Sequence, residues 1–332
     1  MIRMAANRLA GMILVLFLVT LFTYVIFFVL SPDPAVQICG KNCTPDRIDQ
    51  IRGSLGLDLP FWQQFFTYVG GLFAGRTFVV AGAEIACSAP CLGYSFQTSQ
   101  LVGDMIVQRL PISVTIALGA AVLWLLGGVA AGVLSAAKEG KFVDRFVAGL
   151  TLGAMSIPNY VFALALQFLL VVVLGWLPFP QAIGFSEDPG RWFLNFLMPW
   201  IVLAITYTAT YTRLTRANVI DTLQENFVRT ASAKGLPATL VWRRHALRPA
   251  LTPIVTIFGM DIAGLLGGAL ITETVFGLNG VGKLTADSIS SNDQPVIMAV
   301  TLLSAFFVII GNFVVDMLYS AIDPRVRAGA QA

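Results

Sequence analysis

Few side chains in this sequence are suited to catalysis. The single histidine, His245, lies among three arginines, and a lone histidine among cations is a poor metal ligand and a poor general base. A catalytic triad also needs an acid that orients the histidine, and none is available to it. The segment 277–283 contains three glycines before Lys283, but no hydroxyl residue follows, so it is not an ATP-binding P-loop. The sequence therefore predicts a protein that is not an enzyme and binds no cofactor itself.

The four cysteines all lie in one part of the chain, as two pairs with three residues between the members of each pair: Cys39, Cys43, Cys87 and Cys91. An even number in a segment that we predict to lie outside the cell indicates disulfides. Two local bridges and two crossed bridges both fit the spacing. A four-thiolate zinc site is the alternative, although zinc ribbons more often have two-residue spacers. We predict structural disulfides and no metal.

Three acidic residues lie inside or at the edge of apolar segments, namely Asp261, Glu273 and Asp316. A charge at mid-membrane costs about 2.5–3.5 kcal/mol on insertion scales, so such residues usually face a protein interior or a wet cavity. Asp261 is the candidate for a transport pathway, where it could contact the amino terminus of a substrate. The alternative is a hydrogen bond to a polar group of a neighbouring helix. Glu273 could belong to a gate, and Asp316 could pair with a basic residue.

Membrane-spanning helices are the elements that must position these residues. The sequence is 57% hydrophobic and 12% charged, against roughly 25% charged residues in soluble domains. A spanning helix needs about 20 apolar residues. Pro158 lies inside the third such segment and predicts a kink, so we count that segment once. The prediction is an all-α polytopic membrane protein with six transmembrane helices, at about 9–30, 110–137, 146–176, 196–217, 250–275 and 295–320.

The distribution of basic residues predicts the orientation of these helices. Fourteen of the 21 lysines and arginines lie in the segments 1–8, 138–145 and 213–248 or after residue 320, so we place these segments and both termini in the cytoplasm. Topology explains the basic residues, and no nucleic-acid partner is expected. No small-residue cleavage site follows the first apolar segment, which we therefore interpret as a retained helix.

Residues 31–109 form the one large segment outside the membrane, on the extracellular side of the predicted topology. Thr44 followed by Pro45 predicts the start of a short helix over 44–52. The aromatic-rich residues 61–73 predict a second helix that lies at the membrane interface. This sizeable loop region also contains the four cysteines.

The longest polar segment between two spans is the loop 218–249, which we call the polar loop. Ala231 and Ala233 favour a helix, Gly235 can end it in the left-handed conformation, and Pro237 can begin a second short helix. The small side chains at 231–233 would allow another protein to dock closely. An ordinary amphipathic connector is the alternative interpretation.

The amino-acid sequence of this loop resembles that of a known protein family. VRTASAKGL at 228–236, followed by HALRPAL at 245–251, is similar to the EAA cytoplasmic loop of ABC-importer permeases, in the form that dipeptide/oligopeptide permeases carry. Arg229 stands where the general motif has its first acidic residue. Further similar segments are GLDLP at 56–60, GYSF at 93–96, RLP at 109–111, ETVF at 273–276 and the tail at 315–327. The resemblance covers nearly the whole chain, and residues 77–91 look like an insertion.

The resemblance implies the type I ABC importer permease fold and its division of the chain. Residues 1–30 would be the cytoplasmic N-terminus and first helix, 31–109 the extracellular loop region, and 110–320 the permease core, before a cytoplasmic tail over 321–332. The polar loop would be the coupling loop that contacts an ATPase. The contacting residues that the resemblance implies are Glu225, Arg229, Thr230, Ala231, Ala233, Lys234, Gly235 and Leu236. Gly235→Pro or a bulky residue at Ala231 would then uncouple transport without preventing membrane insertion.

The resemblance also implies the partners and the substrate. A second homologous permease, two cytoplasmic ATPases that bind ATP and Mg²⁺, and an extracellular substrate-binding protein would assemble with this chain in the inner membrane of a bacterium. The transported solute would be a dipeptide or oligopeptide, with nickel, glutathione or another small solute as the alternative. A transporter of a different class, driven by an ion gradient without ATP, would need coupling carboxylates in discontinuous helices, and Asp261 is the one candidate.

Overall fold

Apolar helices dominate the computed structural model, which describes residues 2–30, 33–39, 44–80, 83–181 and 183–322. Over these residues, five helices are long and apolar enough to cross a membrane, and a bent pair of helices can form a sixth span. This agrees with the predicted all-α polytopic class with six spans. The single helices are Arg8–Val29, Val102–Ala137, Pro189–Gln224, Ala238–Leu266 and Gln294–Val315, and the bent pair is Phe142–Ser156 with Asn159–Val173.

The chain divides into two compact units. The first comprises Met1–Ser113, Leu266–Leu270 and Asn279–Ile310. Its elements are α1 (Ile2–Tyr24), a π-helical turn (Val25–Val29), α2 (Pro34–Cys39), α3 (Pro45–Leu55), α4 (Phe61–Ala74), β1 (Arg76–Val80), β2 (Ala83–Cys87), β3 (Tyr94–Ser95), β4 (Gln100–Leu101) and α14 (Val281–Ser291), with the first part of α5 (Val102–Ala137) and of α15 (Gln294–Ile322).

The second unit comprises Val114–Leu265, Ile271–Leu278 and Gly311–Ala332. It holds the rest of α5 and of α15 and the elements between them. Those elements are α6 (Phe142–Ser156), α7 (Asn159–Gln167) with a π-helical turn (Phe168–Val173), α8 (Pro189–Gln224), α9 (Asn226–Ala233), α10 (Ala238–Leu240) with a π-helical turn (Val241–Leu247), α11 (Arg248–Ala250), α12 (Thr252–Leu266) and α13 (Leu270–Val275).

In the first unit, residues 44–101, which we call the disulfide segment, build a small core together with α2. The predicted helices are confirmed as α3 and α4. Thr44 occupies the position before α3 with an extended backbone, but its side chain makes no capping hydrogen bond. The core residues of this segment and of the neighbouring α2 are Ala35, Ile38, Ile51, Phe78, Cys87, Cys91, Tyr94 and Phe96.

The stretch that looked like an insertion forms a β-hairpin. The strands β1 and β2 pair antiparallel with Phe78 opposite Ile85, and β3 pairs antiparallel with β4. We did not predict these strands. Cys87 is bonded to Cys91, so this pair is local and the crossed arrangement is excluded. Cys39 is also in a disulfide, whereas Cys43 lies outside the described residues.

In the second unit, α5 and α8 lie in close contact because glycines stand where they meet. A Cβ atom at Gly128 would lie 2.6 Å from Cβ of Tyr211, and one at Gly132 would lie 2.6 Å from Cβ of Thr215. The indole N–H of Trp200 donates to the backbone oxygen of Thr115 at 2.9 Å. The small residues predicted to serve helix packing in α5 therefore do so.

Two spans differ in shape from the prediction. The third is bent by 95° between α6 and α7, a full break rather than a kink, because Pro158 has no N–H to continue the helix. The predicted span 250–275 is wrong at both ends. Its helical path already begins at Ala238 and ends at Leu266. Gly268 interrupts it with φ of +112°, where a Cβ would lie 2.6 Å from Cα of Gly282.

Candidate functional site

The central part of the polar loop is one short helix, α9, which lies between two membrane helices. The first of these, α8, continues to Gln224, and the extended backbone of Glu225 (ψ of 145°) separates it from α9. The carbonyl of Glu225 then accepts hydrogen bonds from the N–H groups of Val228 and Arg229, at 3.0 and 3.1 Å. Glu225 is therefore both the end of α8 and the start of α9.

Gly235 ends this helix in the predicted conformation. Its φ is +78°, and its N–H donates to the carbonyl of Ser232 at 3.0 Å. After Pro237 the chain becomes helical again at Ala238 and continues into the membrane segment that ends at Leu266. The expected second short helix is therefore the beginning of the next span. As a result, α9 is connected to two membrane helices with only Glu225 and residues 234–237 as non-helical joints.

The two faces of α9 have different environments. Val228 and Ala231 are 3% and 6% exposed and pack against Val241 and Leu223 of the same chain. The prediction that Ala231 offers a surface to another protein is therefore wrong, because a helix of this length buries residues three apart on one face. Enlarging Ala231 would disturb the loop itself.

The other face of α9 and the residues after it are exposed. Phe227 is 48% exposed and Leu236 is 37% exposed, although both are apolar. We did not predict Phe227 as a site residue. Its position next to the buried Val228 on a short amphipathic helix is the sequence feature that could have identified it. The predicted site residues that are also exposed are Glu225, Arg229, Thr230, Ala233, Lys234 and Gly235. We call this set, with Phe227 and Leu236, the exposed face of the loop.

Arginines follow the exposed face along the chain. Arg243, Arg244 and Arg248 are exposed, while His245 is half-buried. All four lie in or next to the π-helical turn Val241–Leu247. This end of the membrane helix therefore carries concentrated positive charge.

A buried ion pair, which sequence reasoning missed, holds the start of α6 to α8. Asp144 is 5% exposed. It accepts hydrogen bonds from Nε and Nη2 of Arg216 at 2.7 and 2.8 Å, from Oγ of Ser135 at 2.6 Å and from the backbone N–H of Gly140 at 2.9 Å. Such two-point arginine–carboxylate pairs are geometrically specific. The turn between α5 and α6 is thereby fixed to α8.

The intramembrane acids lie in protein surroundings. Oδ2 of Asp261 accepts a hydrogen bond of 2.7 Å from the hydroxyl of Tyr211, so the alternative of a helix–helix hydrogen bond is realised. Tyr211 belongs to an aromatic cluster in which Trp124 stacks on Tyr207 with ring centroids 4.5 Å apart. Glu273 is fully buried in α13.

The side chain of Asp316 lies outside the described residues. Across the described part of the chain, no group of three or more His, Cys, Asp and Glu side chains is placed to hold a metal ion.

Two family models match this sequence. The model described as "Binding-protein-dependent transport system inner membrane component" matches residues 128–328. The model described as "Binding-prot-dependent transport system membrane comp, N-term" matches residues 1–117. Together they cover the first span with the large loop, both ends of the second span and the remaining four spans.

Individual relatives are similar over nearly their whole lengths. A "Probable peptide ABC transporter permease protein" of Sinorhizobium fredii is 32% identical over 321 residues, covering 97% of this chain and 98% of the relative. A "Glutathione transport system permease protein" of Escherichia coli K12 is 32% identical over 327 residues, covering 98% of this chain and 99% of the relative.

Proposed function

Because the chain belongs to the family of binding-protein-dependent transport system inner membrane components, we propose that it is the membrane-spanning permease subunit of an ATP-driven importer for dipeptides or oligopeptides. It forms the pathway with a second homologous permease and works with two ATPase subunits, which bind ATP and Mg²⁺, and a substrate-binding protein. The names of relatives support a peptide substrate, and glutathione is the alternative that the second relative supports.

The observation that carries the coupling role is the division of α9 into a buried and an exposed face. A partner that presses on the exposed face at Phe227 moves a helix whose other face contacts Leu223 and Val241. Leu223 belongs to the end of α8, and Val241 belongs to the start of the next membrane helix. A displacement of α9 therefore reaches two spans directly, which is how ATP-driven closure would change access to the pathway.

The proposed topology places the polar loop in the cytoplasm. Along α8, 22 residues separate Arg191 from Arg213, and at 1.5 Å per residue this is about 33 Å. The hydrocarbon core is about 30 Å thick, so the two arginines belong to opposite membrane surfaces. The excess of basic residues at the Arg213 end supports a cytoplasmic position for this end, with the disulfide segment and its binding protein outside.

Asp261 is the proposed contact for the substrate. It is partly exposed, one of its oxygens is held by Tyr211, and its carboxylate suits the ammonium group at a peptide's amino terminus. Glu273, which lies beyond the break at Gly268, is proposed as part of a gate. These two roles depend on the pathway being formed with the second permease.

Recovery of partners from native membranes tests the proposed assembly and the docking face together. We expect affinity purification of the wild-type chain in mild detergent to recover two ATPase subunits and a second six-span permease. Phe227→Asp should reduce recovery of the ATPases at least tenfold and retain the second permease, since Phe227 is 48% exposed on the proposed docking face. Phe73→Asp, which changes an 80% exposed phenylalanine of α4, is the matched control and should recover everything.

Equal ATPase recovery with wild type and Phe227→Asp would refute docking at this face without affecting the transporter assignment. Recovery of the wild-type chain alone, together with solute uptake in ATP-free vesicles, would instead show a secondary transporter. Uptake of labelled dipeptide competed by unlabelled peptides but not by glutathione would separate the two substrate candidates.

A further inference from the structure

A groove of about 700 Å³ opens between α6 and α8 on the second unit. Its size lies within the roughly 300–1,000 Å³ of small-molecule sites. Helix α6 contributes successive turns of one face, and α8 contributes the facing residues. The lining residues outside the charged end are Ala148, Thr151, Leu152, Met155, Thr210, Leu214 and Ala217.

One end of this groove carries an excess of positive charge. Arg145, Arg213 and Arg216 line it together with Asp144, so three guanidinium groups face one carboxylate. The bidentate contact with Asp144 occupies Arg216. Among the described residues, the ion pairs include neither Arg145 nor Arg213. Nη1 of Arg213 contacts Sδ of Met155 at 3.6 Å. This weak contact leaves the other N–H donors of Arg213, together with the guanidinium group of Arg145, for an anion.

The rest of the groove is apolar. Leu152 is 57% exposed and Met155 is 46% exposed, and both lie deeper along α6 than Arg145. Between Arg145 and Met155 the helix rises about 15 Å. In a membrane protein, an exposed apolar face at this depth meets acyl chains or another subunit.

The charged end lies at the level of lipid headgroups. Arg213 is about 33 Å along α8 from Arg191, which places it at one boundary of a hydrocarbon core about 30 Å thick. Arg145 is in the first turn of α6, beside the turn that Asp144 anchors. The groove is therefore charged at the membrane boundary and apolar toward the membrane interior. This arrangement matches the charged headgroup and the apolar acyl chains of a phospholipid.

We propose that this groove binds an anionic phospholipid, with its phosphate held by Arg145 and Arg213 and one acyl chain lying along Leu152, Met155 and Leu214. Guanidinium groups suit phosphate because their N–H donors match its oxygens in pairs. Basic pockets between transmembrane helices are recognised headgroup sites. The proposal rests on the membrane location of the chain and is independent of the transported substrate.

Native mass spectrometry of the complex purified in mild detergent tests the site. We expect one phosphatidylglycerol to bind at least tenfold more tightly than phosphatidylcholine. The double variant Arg145→Gln/Arg213→Gln should lose this preference. Arg191→Gln, which removes a 74% exposed arginine at the other end of α8, should keep it. Ala148→Phe narrows the groove without changing its charge and should also reduce phosphatidylglycerol binding.

Three results would overturn the proposal, provided that the variants unfold at the same temperature as wild type. Equal phosphatidylglycerol retention by the double variant would show that these arginines do not hold it. Inorganic phosphate that displaces the lipid at equal concentration would show a free-anion site. A photo-crosslinker in place of Met155 that labels a protein rather than a lipid would show that another subunit covers the groove.

Discussion

The disulfide segment and the polar loop are both polar interruptions of an apolar chain, yet they are built in opposite ways. The disulfide segment has a core that it shares with α2, a β-hairpin and the Cys87–Cys91 bond. Within the polar loop, α9 buries only Val228 and Ala231, which pack with Val241 and Leu223. The other buried side chains belong to the membrane helices on either side, and Phe227 and Leu236 are exposed. Both segments also expose apolar side chains, among them Phe73 of the disulfide segment, so the two segments differ in the size of the core and in the covalent bond.

This difference indicates how each segment is stabilised. A segment too small for a large core gains from a covalent bond, and the disulfide segment has one. The polar loop depends instead on the two membrane helices that it joins and, in our proposal, on a partner that covers its exposed face.

The largest effect that we predict concerns the base of the polar loop. The polar loop begins at the end of α8, and Arg216 lies about two turns before α8 ends. The ion pair between Asp144 and Arg216 therefore fixes the part of α8 from which the polar loop extends. Replacing one member of a buried ion pair typically costs about 3–5 kcal/mol. The side chain of Arg216 is 35% exposed, so we expect Asp144→Asn to cost about 2–3 kcal/mol, measured by thermal unfolding in detergent.

The control for this prediction is an exposed ion pair. Arg191→Gln breaks the contact with Asp188, whose members are 74% and 45% exposed, and such pairs contribute about 0–1 kcal/mol. Equal decreases in unfolding temperature for Asp144→Asn and Arg191→Gln would show that the buried ion pair stabilises α8 no more than the exposed pair does.

The next largest effect that we predict concerns the stability of the disulfide segment. Cys87→Ser removes a bond that closes a loop of sequence separation 4. Loop-closure entropy for so short a loop amounts to about 2 kcal/mol. We expect this loss in the stability of the segment, measured by protease resistance, with no change in ATPase recovery. Dithiothreitol, which also reduces the disulfide of Cys39, should lower the protease resistance of wild type at least as much as Cys87→Ser does.

Reduced ATPase recovery by Cys87→Ser would contradict the independence of the two segments. The same protease resistance in both proteins would show that the hairpin and its core suffice without the bond.

Much of this fold is predictable because hydrophobic length is a strong signal. The six spans, the helices α3 and α4 and the left-handed Gly235 follow from apolar runs and from residues at helix ends. The hairpin does not, since β1 and β2 are five residues each and two short strands carry too little pattern. The break at Gly268 could not be predicted from the sequence either, because it depends on the close contact between Gly268 and Gly282, which only the tertiary structure creates.

For the candidate site, the sequence identifies the loop but not its orientation. Ala231 and Ala233 are equivalent in helix propensity, and only contacts with Leu223 and Val241 make the first buried and leave the second exposed. The pairing of Asp144 with Arg216 joins residues 72 positions apart. Local sequence gives no reason to choose this arginine over its neighbours.

The smallest predicted effect is a pH dependence within the first unit, at Asp293, just before the last span. Asp293 is 2% exposed and accepts a hydrogen bond from Oγ of Ser95, which in turn accepts from the N–H and the hydroxyl of Thr98. Burial raises the pKa of the Asp293 carboxyl above its usual range, and the hydrogen bond from Ser95 partly offsets this increase.

A carboxyl whose pKa is higher in the folded than in the unfolded protein binds its proton more tightly when folded. The folded state therefore loses stability as the pH rises from about 4, the ordinary aspartate value, through the raised pKa. We expect Asp293→Asn to remove this decline, so that its unfolding temperature varies less between about pH 4 and pH 7 than that of wild type. Parallel curves would mean that Asp293 is equally ionised in both states and would contradict this prediction.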